Sequence, residues 1–269
     1  MYVDKNAPLG LFDSGVGGLT VVREVFKRLP REKVIYFADT GRVPYGPLPQ
    51  EDIQRFTVQI VQFLEKKGAK LVIIACNTAT AAGLEAAQEA VEIPVIGVIK
   101  PGAQLALETT VNKRVGVIAT EATIKSGAYE ETIKAMDPEA EVFGQACYEF
   151  TPLIEAGKKD SDEIAEYARE YLATFEDKDI DTLVYGCTHY PLLEDLVQGI
   201  VGEKVAPVNP AIKAVEQAQQ ILSEAGLLSD RSEDPDHEYF VSGDPAAFAE
   251  LGAVILERPL PEVGKVDMK

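Results

Sequence analysis

Two cysteines occupy matching local settings. Cys76 ends the run Leu71-Val-Ile-Ile-Ala-Cys76 and is followed by Asn77-Thr78-Ala79. Cys187 ends Thr182-Leu-Val-Tyr-Gly-Cys187 and is followed by Thr188-His189-Tyr190. Each apolar run reads as a buried strand, and each small polar tail opens a helical pattern. A thiol at a strand-to-helix junction sits near the positive end of the helix, which favours the thiolate. Two such thiols, one in each half of the chain, point to a pair of facing acid/base groups.

Further residue types with chemical capacity lie nearby in the sequence. His189 is two residues from Cys187 and is one of only two histidines; an imidazole beside a thiol can activate it. Phe12-Asp13-Ser14-Gly15-Val16-Gly17-Gly18-Leu19-Thr20 puts a carboxylate at a strand end, followed by clustered glycines whose amides can approach an anion. It is not a dinucleotide loop, because Thr20 stands where the third glycine of that motif belongs. Asp39-Thr-Gly-Arg-Val-Pro44-Tyr45-Gly46-Pro47 reads as a rigid loop whose backbone can reach a ligand. Glu155 is a candidate partner for His189, although its spacing alone does not distinguish it from a surface glutamate. Cys147 reads as core packing, and His237 as a solvated residue of an acidic loop. Taken singly, the Asp13 and Cys76 segments also read as turns and helix caps.

The elements that must hold these residues follow from periodicity. Val34–Ala38, Leu71–Ala75, Val95–Ile99, Val115–Ile118 and Leu183–Tyr185 read as strands. Helical spacing links Ile53, Phe56, Ile60, Phe63 and Leu64. It recurs through Ile164, Tyr167, Tyr171, Leu172 and Phe175, and again through Ile212, Val215, Ala218, Ile221 and Leu222. Alternating strands and helices predict an α/β fold of mostly parallel sheets flanked by helices. The 269 residues fit two domains. Leu9-Gly-Leu-Phe-Asp13-Ser14 resembles Val115-Gly-Val-Ile-Ala119-Thr120, which points to a duplicated plan. Ile93–Gly102 reads as the crossing and Val205–Pro210 as the return. The first domain is therefore expected over 1–98 plus 209–269, carrying Asp13 and Cys76. The second is expected over 99–208, carrying Cys187 and His189. Tyr239–Val241 is expected as an edge strand of the first.

Bulk composition narrows the function. The net charge of −18 repels nucleic-acid phosphate. No apolar run approaches the roughly 20 residues of a membrane span, and the N-terminus shows no signal-peptide pattern. These features predict a cytoplasmic protein with no nucleic-acid or membrane partner. Its three widely spaced cysteines make no disulfide framework or metal-type pair.

Taken together, the motifs resemble the glutamate racemase family of the aspartate/glutamate racemase superfamily. Asp13-Ser-Gly-Val-Gly-Gly-Leu-Thr, Pro44-Tyr-Gly, Ala75-Cys-Asn-Thr-Ala, Ile93-Pro-Val-Ile-Gly-Val and Gly186-Cys-Thr-His-Tyr-Pro-Leu carry the resemblance in order along nearly the whole chain. It implies two similar α/β domains with the active site in the cleft between them. It also implies cofactor-independent racemisation of glutamate without a metal, supplying D-glutamate for peptidoglycan, by a protein that is commonly a homodimer. Cys76 and Cys187 would be the acid/base pair, assisted by Asp13 and His189 respectively, with Glu155 as a supporting acid. Asp13, Ser14, Tyr45, Gly46, Asn77, Thr78, Thr188 and His189 would hold the substrate. Related aspartate racemases typically carry Glu at the position of His189, which favours glutamate. Lys100, Gly41 and Asn209-Pro210 depart from commoner family residues. Alternatives are an aspartate or hydantoin racemase, a thiol-based metal or redox protein using Cys76, Cys187 and His189, or a non-catalytic two-domain binder.

Overall fold

A computed structural model describes residues 4–268. The chain divides into two compact units, 1–98 with 214–269, and 99–213.

The first unit begins with β1 (Leu9–Asp13), α1 (Leu19–Arg28), β2 (Val34–Ala38), α2 (Gln50–Lys66), β3 (Leu71–Ile74), α3 (Asn77–Ala90) and β4 (Val95–Gly97). Every residue of β1, β2 and β3 is buried. Strands covered on both faces need continuous apolar sequence, and these runs supply it. α2 covers the sheet with the stripe Ile53, Thr57, Ile60, Val61 and Leu64, all buried; Phe56 and Phe63 of the expected stripe are only partly buried and pack against the core from its margin.

The second unit contains α4 (Ile99–Thr109), β5 (Arg114–Ala119), α5 (Glu121–Lys125), α6 (Ala128–Met136), β6 (Glu141–Ala146), α7 (Phe150–Glu155), α8 (Asp162–Leu172), β7 (Thr182–Gly186), α9 (Glu194–Val201) and β8 (Ala206–Val208). Its core gathers Ile118, Phe150, Ile164, Leu172, Leu183, Tyr185 and Tyr190. α10 (Pro210–Glu224) returns the chain to the first unit, which is completed by β9 (Glu238–Val241), α11 (Pro245–Leu256) and β10 (Val263–Lys265).

Among the described residues the strand order is β10-β9-β2-β1-β3-β4 in one sheet and β6-β5-β7-β8 in the other. All pairings are parallel. The orders β2-β1-β3-β4 and β6-β5-β7-β8 are the same plan. In both units the central first strand lies between the second and the third.

Two expectations about strands are corrected. The strand expected to reach Ile99 stops at Gly97, where an added Cβ would lie 2.3 Å from Thr80 Cγ2. A helix starts at Ile99, and Pro101 suits its first turn. The strand at Tyr239–Val241 is not an edge. It pairs with β2 on one side and β10 on the other. β10 has only three residues, Val-Gly-Lys, and leaves no apolar run to read.

The strand starts of the first unit are tied by a buried ion pair. Lys70 Nζ lies 2.6 Å from Glu32 Oε2, with both side chains essentially unexposed. Lys70 also donates to the Leu227 and Lys5 carbonyls, and Glu32 accepts from Ser229 N. The acidic segment after α10 is thereby pinned at the end of the sheet remote from Asp13.

Candidate active site

In the first unit the site grows from the carboxyl ends of β1 and β3, where parallel α/β sheets place ligands. Asp13 is the last residue of β1 and is fully buried. Its Oδ2 accepts from Gly15 N at 3.0 Å. The Tyr36 hydroxyl donates to Gly15 O at 2.6 Å, fixing the same turn. Gly18 is required here, because a Cβ would stand 2.4 Å from Asp13 Cβ and 2.6 Å from the Tyr36 hydroxyl. Burial, and then the nearby Asp13 and Cys76, push the Tyr36 phenol up, so it stays protonated as a donor.

Cys76 is the N-cap of α3, and its sulfur accepts from Ala79 N at 3.5 Å. That amide and the dipole of a fourteen-residue helix stabilise negative charge on sulfur. Cys76 Sγ lies 3.7 Å from Ser14 Oγ. Asn77 and Thr78 open α3 and are buried. Loop, strand end and helix start thus bring Asp13, Ser14, Cys76, Asn77 and Thr78 into one region.

Tyr45 and Gly46 lie on the loop after β2. The Tyr45 side chain is buried between Phe12 and Phe56. Its hydroxyl donates to Asp39 Oδ2. Asp39 also receives Arg42 Nε and the Ser242 hydroxyl, so it anchors the whole loop. Tyr45 can therefore serve a ligand through its backbone, with its hydroxyl already engaged. Gly46 has open space where a Cβ would be.

In the second unit Cys187 follows the last residue of β7, and Thr188 and His189 lead into a 3-10 turn over Tyr190–Leu193. All three are buried. Cys187 Sγ lies 3.8 Å from His189 Nδ1. His189 Nε2 lies 3.1 Å from Glu155 Oε1, which α7 supplies. Burial disfavours a charged imidazole, but the contacts to the Cys187 sulfur and the Glu155 carboxylate outweigh it. They push His189 up to about 10. The protonated ring can donate from both nitrogens, toward the Glu155 carboxylate and toward the Cys187 sulfur.

Register shows how deep the duplication goes. Ala119 pairs with Gly186, and Cys187 is next in the chain. Phe12 pairs with Ile74, so Asp13 stands level with Ala75, and Cys76 is next. The two cysteines hold equivalent positions in the two sheets. The polar residues beside them are not equivalent. The counterpart of Asp13 is Ala119, and the counterpart of His189 is Thr78.

Thr151 was not evident from sequence. Its Oγ1 lies 3.7 Å from Cys187 Sγ, yet it is 36 residues away with no motif to mark it. Cys147 is buried in the core, as expected, and burial raises its thiol far above the ordinary range. The expectation for His237 is corrected. Its Nδ1 accepts from Val34 N at 3.2 Å and its ring packs on Phe26 at 4.4 Å. The start of β2 offers a backbone donor and an aromatic face, and they draw the imidazole partly out of solvent.

Among the described residues, no group of three or more His, Cys, Asp or Glu side chains is disposed to hold a metal ion. No helix among them is long and apolar enough to cross a membrane.

Comparison with known proteins matches residues 17–218 to the model of the Asp/Glu/Hydantoin racemase family. The chain is 46% identical over 261 residues to a glutamate racemase of Geobacter metallireducens, covering 97% of each. Its fold is similar to that of a glutamate racemase isoform of Bacillus anthracis, with a TM-score of 0.94, 38% identity and 98% of both chains covered. It is also similar to the Francisella tularensis glutamate racemase solved with D-glutamate. That TM-score is 0.91, with 38% identity over 97% of this chain and 98% of the other.

Proposed function

The chain belongs to the Asp/Glu/Hydantoin racemase family, and on that premise we propose that it interconverts L- and D-glutamate by a two-base mechanism without a cofactor. The observation that carries this reading is the placement of Cys76 and Cys187 at equivalent register positions after β3 and β7, each with its own polar helper. Glutamate as substrate is supported by relatives of that name and by the relative solved with D-glutamate.

Inverting an α-carbon requires a proton to leave one face and another to arrive at the opposite face. In this reading the Cys187 thiolate takes the proton from L-glutamate while the Cys76 thiol delivers one to the other face. The roles exchange for D-glutamate. The Cα–H is a very weak acid, so the carbanion-like transition state needs preorganised donors and exclusion of water. The buried amides and hydroxyls around Asn77, Thr78 and Thr188 are suited to that task, and Ser14, Tyr45 and Gly46 would complete the substrate contacts. Asp13 would assist proton transfer at Cys76. His189, held by Glu155, would assist at Cys187 as a donor to its thiolate. The biological reading that follows is supply of D-glutamate for peptidoglycan by a cytoplasmic homodimer.

The test is racemisation followed by polarimetry over a panel containing glutamate, aspartate and other amino acids. Glutamate is expected to turn over fastest; a preference for aspartate would reject the substrate assignment. Cys76→Ala and Cys187→Ala should each lower kcat by at least about 1,000-fold, within the range of general acid–base contributions, while circular dichroism stays unchanged. Full activity in either variant would reject the mechanism.

A further inference from the structure

Each thiol has a hydroxyl at the same distance, but the two hydroxyls come from different parts of the plan. Cys76 Sγ is 3.7 Å from Ser14 Oγ, on the loop after β1. The equivalent position in the second unit is Thr120. Its hydroxyl caps α5, accepting from Thr123 N at 3.3 Å and meeting Thr123 Oγ1 at 3.0 Å. At Cys187 the hydroxyl comes instead from Thr151 on α7, at 3.7 Å. Residues 150–155 form the short helix that also delivers Glu155 to His189. One element therefore serves both sides of the Cys187 centre, through its hydroxyl on sulfur and its carboxylate on imidazole.

We propose that Thr151 is a positioning residue for Cys187, its hydroxyl donating to the thiolate and holding the sulfur in its reactive setting. The proposal rests on the racemase reading for its kinetic consequence but not for the contact itself. The Tyr190 hydroxyl donates to Cys147 O at 2.9 Å, so its proton is committed away from Thr151. The remaining titratable groups around Cys187 are His189 and Tyr190 on its own turn, Tyr129 on α6 and Cys147 after β6, with Glu155 beyond His189. Tyr129, Tyr190 and Cys147 are buried and hold their protons through neutral pH. They carry no charge at neutral pH; the Tyr190 oxygen is a second, neutral acceptor for the Thr151 hydroxyl, and a thiolate accepts more strongly than it does.

The experiment compares Thr151→Val, which removes the hydroxyl at similar volume, with Thr151→Ser, which keeps it. Cys187 is titrated by ultraviolet thiolate absorbance in a Cys76→Ala background. The pH profile of kcat with L-glutamate is measured with Cys76 intact. Thr151→Val should raise the Cys187 midpoint by about one pH unit, as expected for a hydrogen bond to a charged acceptor. It should move the acid limb of the kcat profile in the same direction, and Thr151→Ser should return both toward the parent values. If Thr151→Val fails to fold, Thr151→Ala takes its place. An unmoved midpoint, or equal shifts in the Val and Ser variants, would overturn the proposal. A shifted midpoint in a protein that racemises no glutamate would support the contact and reject the functional reading alone.

Discussion

The His189 imidazole is clasped by the Glu155 carboxylate, Nε2 to Oε1 at 3.1 Å, while its other nitrogen faces Cys187 Sγ at 3.8 Å. A buried imidazole would ordinarily lose its proton. Here the two acceptors outweigh burial and raise the ring to about 10. The folded value lies above the ordinary 6.5. The resulting stabilisation is therefore complete below about 6.5 and is lost as pH rises through about 10. Glu155→Gln removes one of the two acceptors. Its expected effect is to lower the His189 midpoint by at least about one unit, read by NMR of the imidazole protons. An unchanged midpoint would show that Glu155 does not hold the ring.

The second histidine should titrate in the opposite sense. Burial, and then Arg258 and Lys33, lower His237 to about 4. Its folded value is depressed, so its contribution to stability is present above about 6.5 and lost as pH falls toward 4. With only two histidines in the chain, one NMR titration resolves both. One resonance should move near pH 4 and the other near pH 10. His237→Gln should flatten the loss of stability between pH 6.5 and 4. An equally steep loss in that variant would contradict the account of His237.

Gly18 should prove as sensitive as a catalytic position although it has no side chain. An added methyl would stand 2.4 Å from Asp13 Cβ, so Asp13 or α1 must move. Gly18→Ala should cost about 1–3 kcal/mol of stability, as overpacking does, and should lower kcat by about 100-fold, the scale of a misplaced catalytic group. Urea denaturation and steady-state kinetics read the two effects separately. A variant with lowered stability but parental kcat would show that Asp13 tolerates displacement.

The central strands and the cysteine settings were legible because parallel strands buried on both faces leave continuous apolar runs, such as Leu71–Ile74, ending at a change to small polar residues. The edges were not. β6 is only partly buried and contains Gly144 and Gln145, so its apolar pattern is broken. β10 is too short to leave a pattern at all. The unequal polar neighbours of the two cysteines, Asp13 and His189, were legible as residue types. The link from His189 to Glu155, however, required α7 to fold back toward Cys187, a tertiary event that spacing does not encode. Thr151 was hidden for the same reason. His237 was misjudged because its acidic neighbours imply solvent, whereas Val34 N and Phe26 supply a hydrogen bond and a ring.

The most direct test of two acid/base groups is a single turnover of protiated L-glutamate in deuterated water. If the Cys187 thiolate removes the α-proton and the Cys76 thiol delivers another, the D-glutamate formed carries solvent deuterium and the recovered L-glutamate remains protiated. The reverse reaction should show the mirror result. Product that keeps the substrate's own hydrogen, or deuterium entering substrate and product at equal rates, would mean one shared base and would contradict the account.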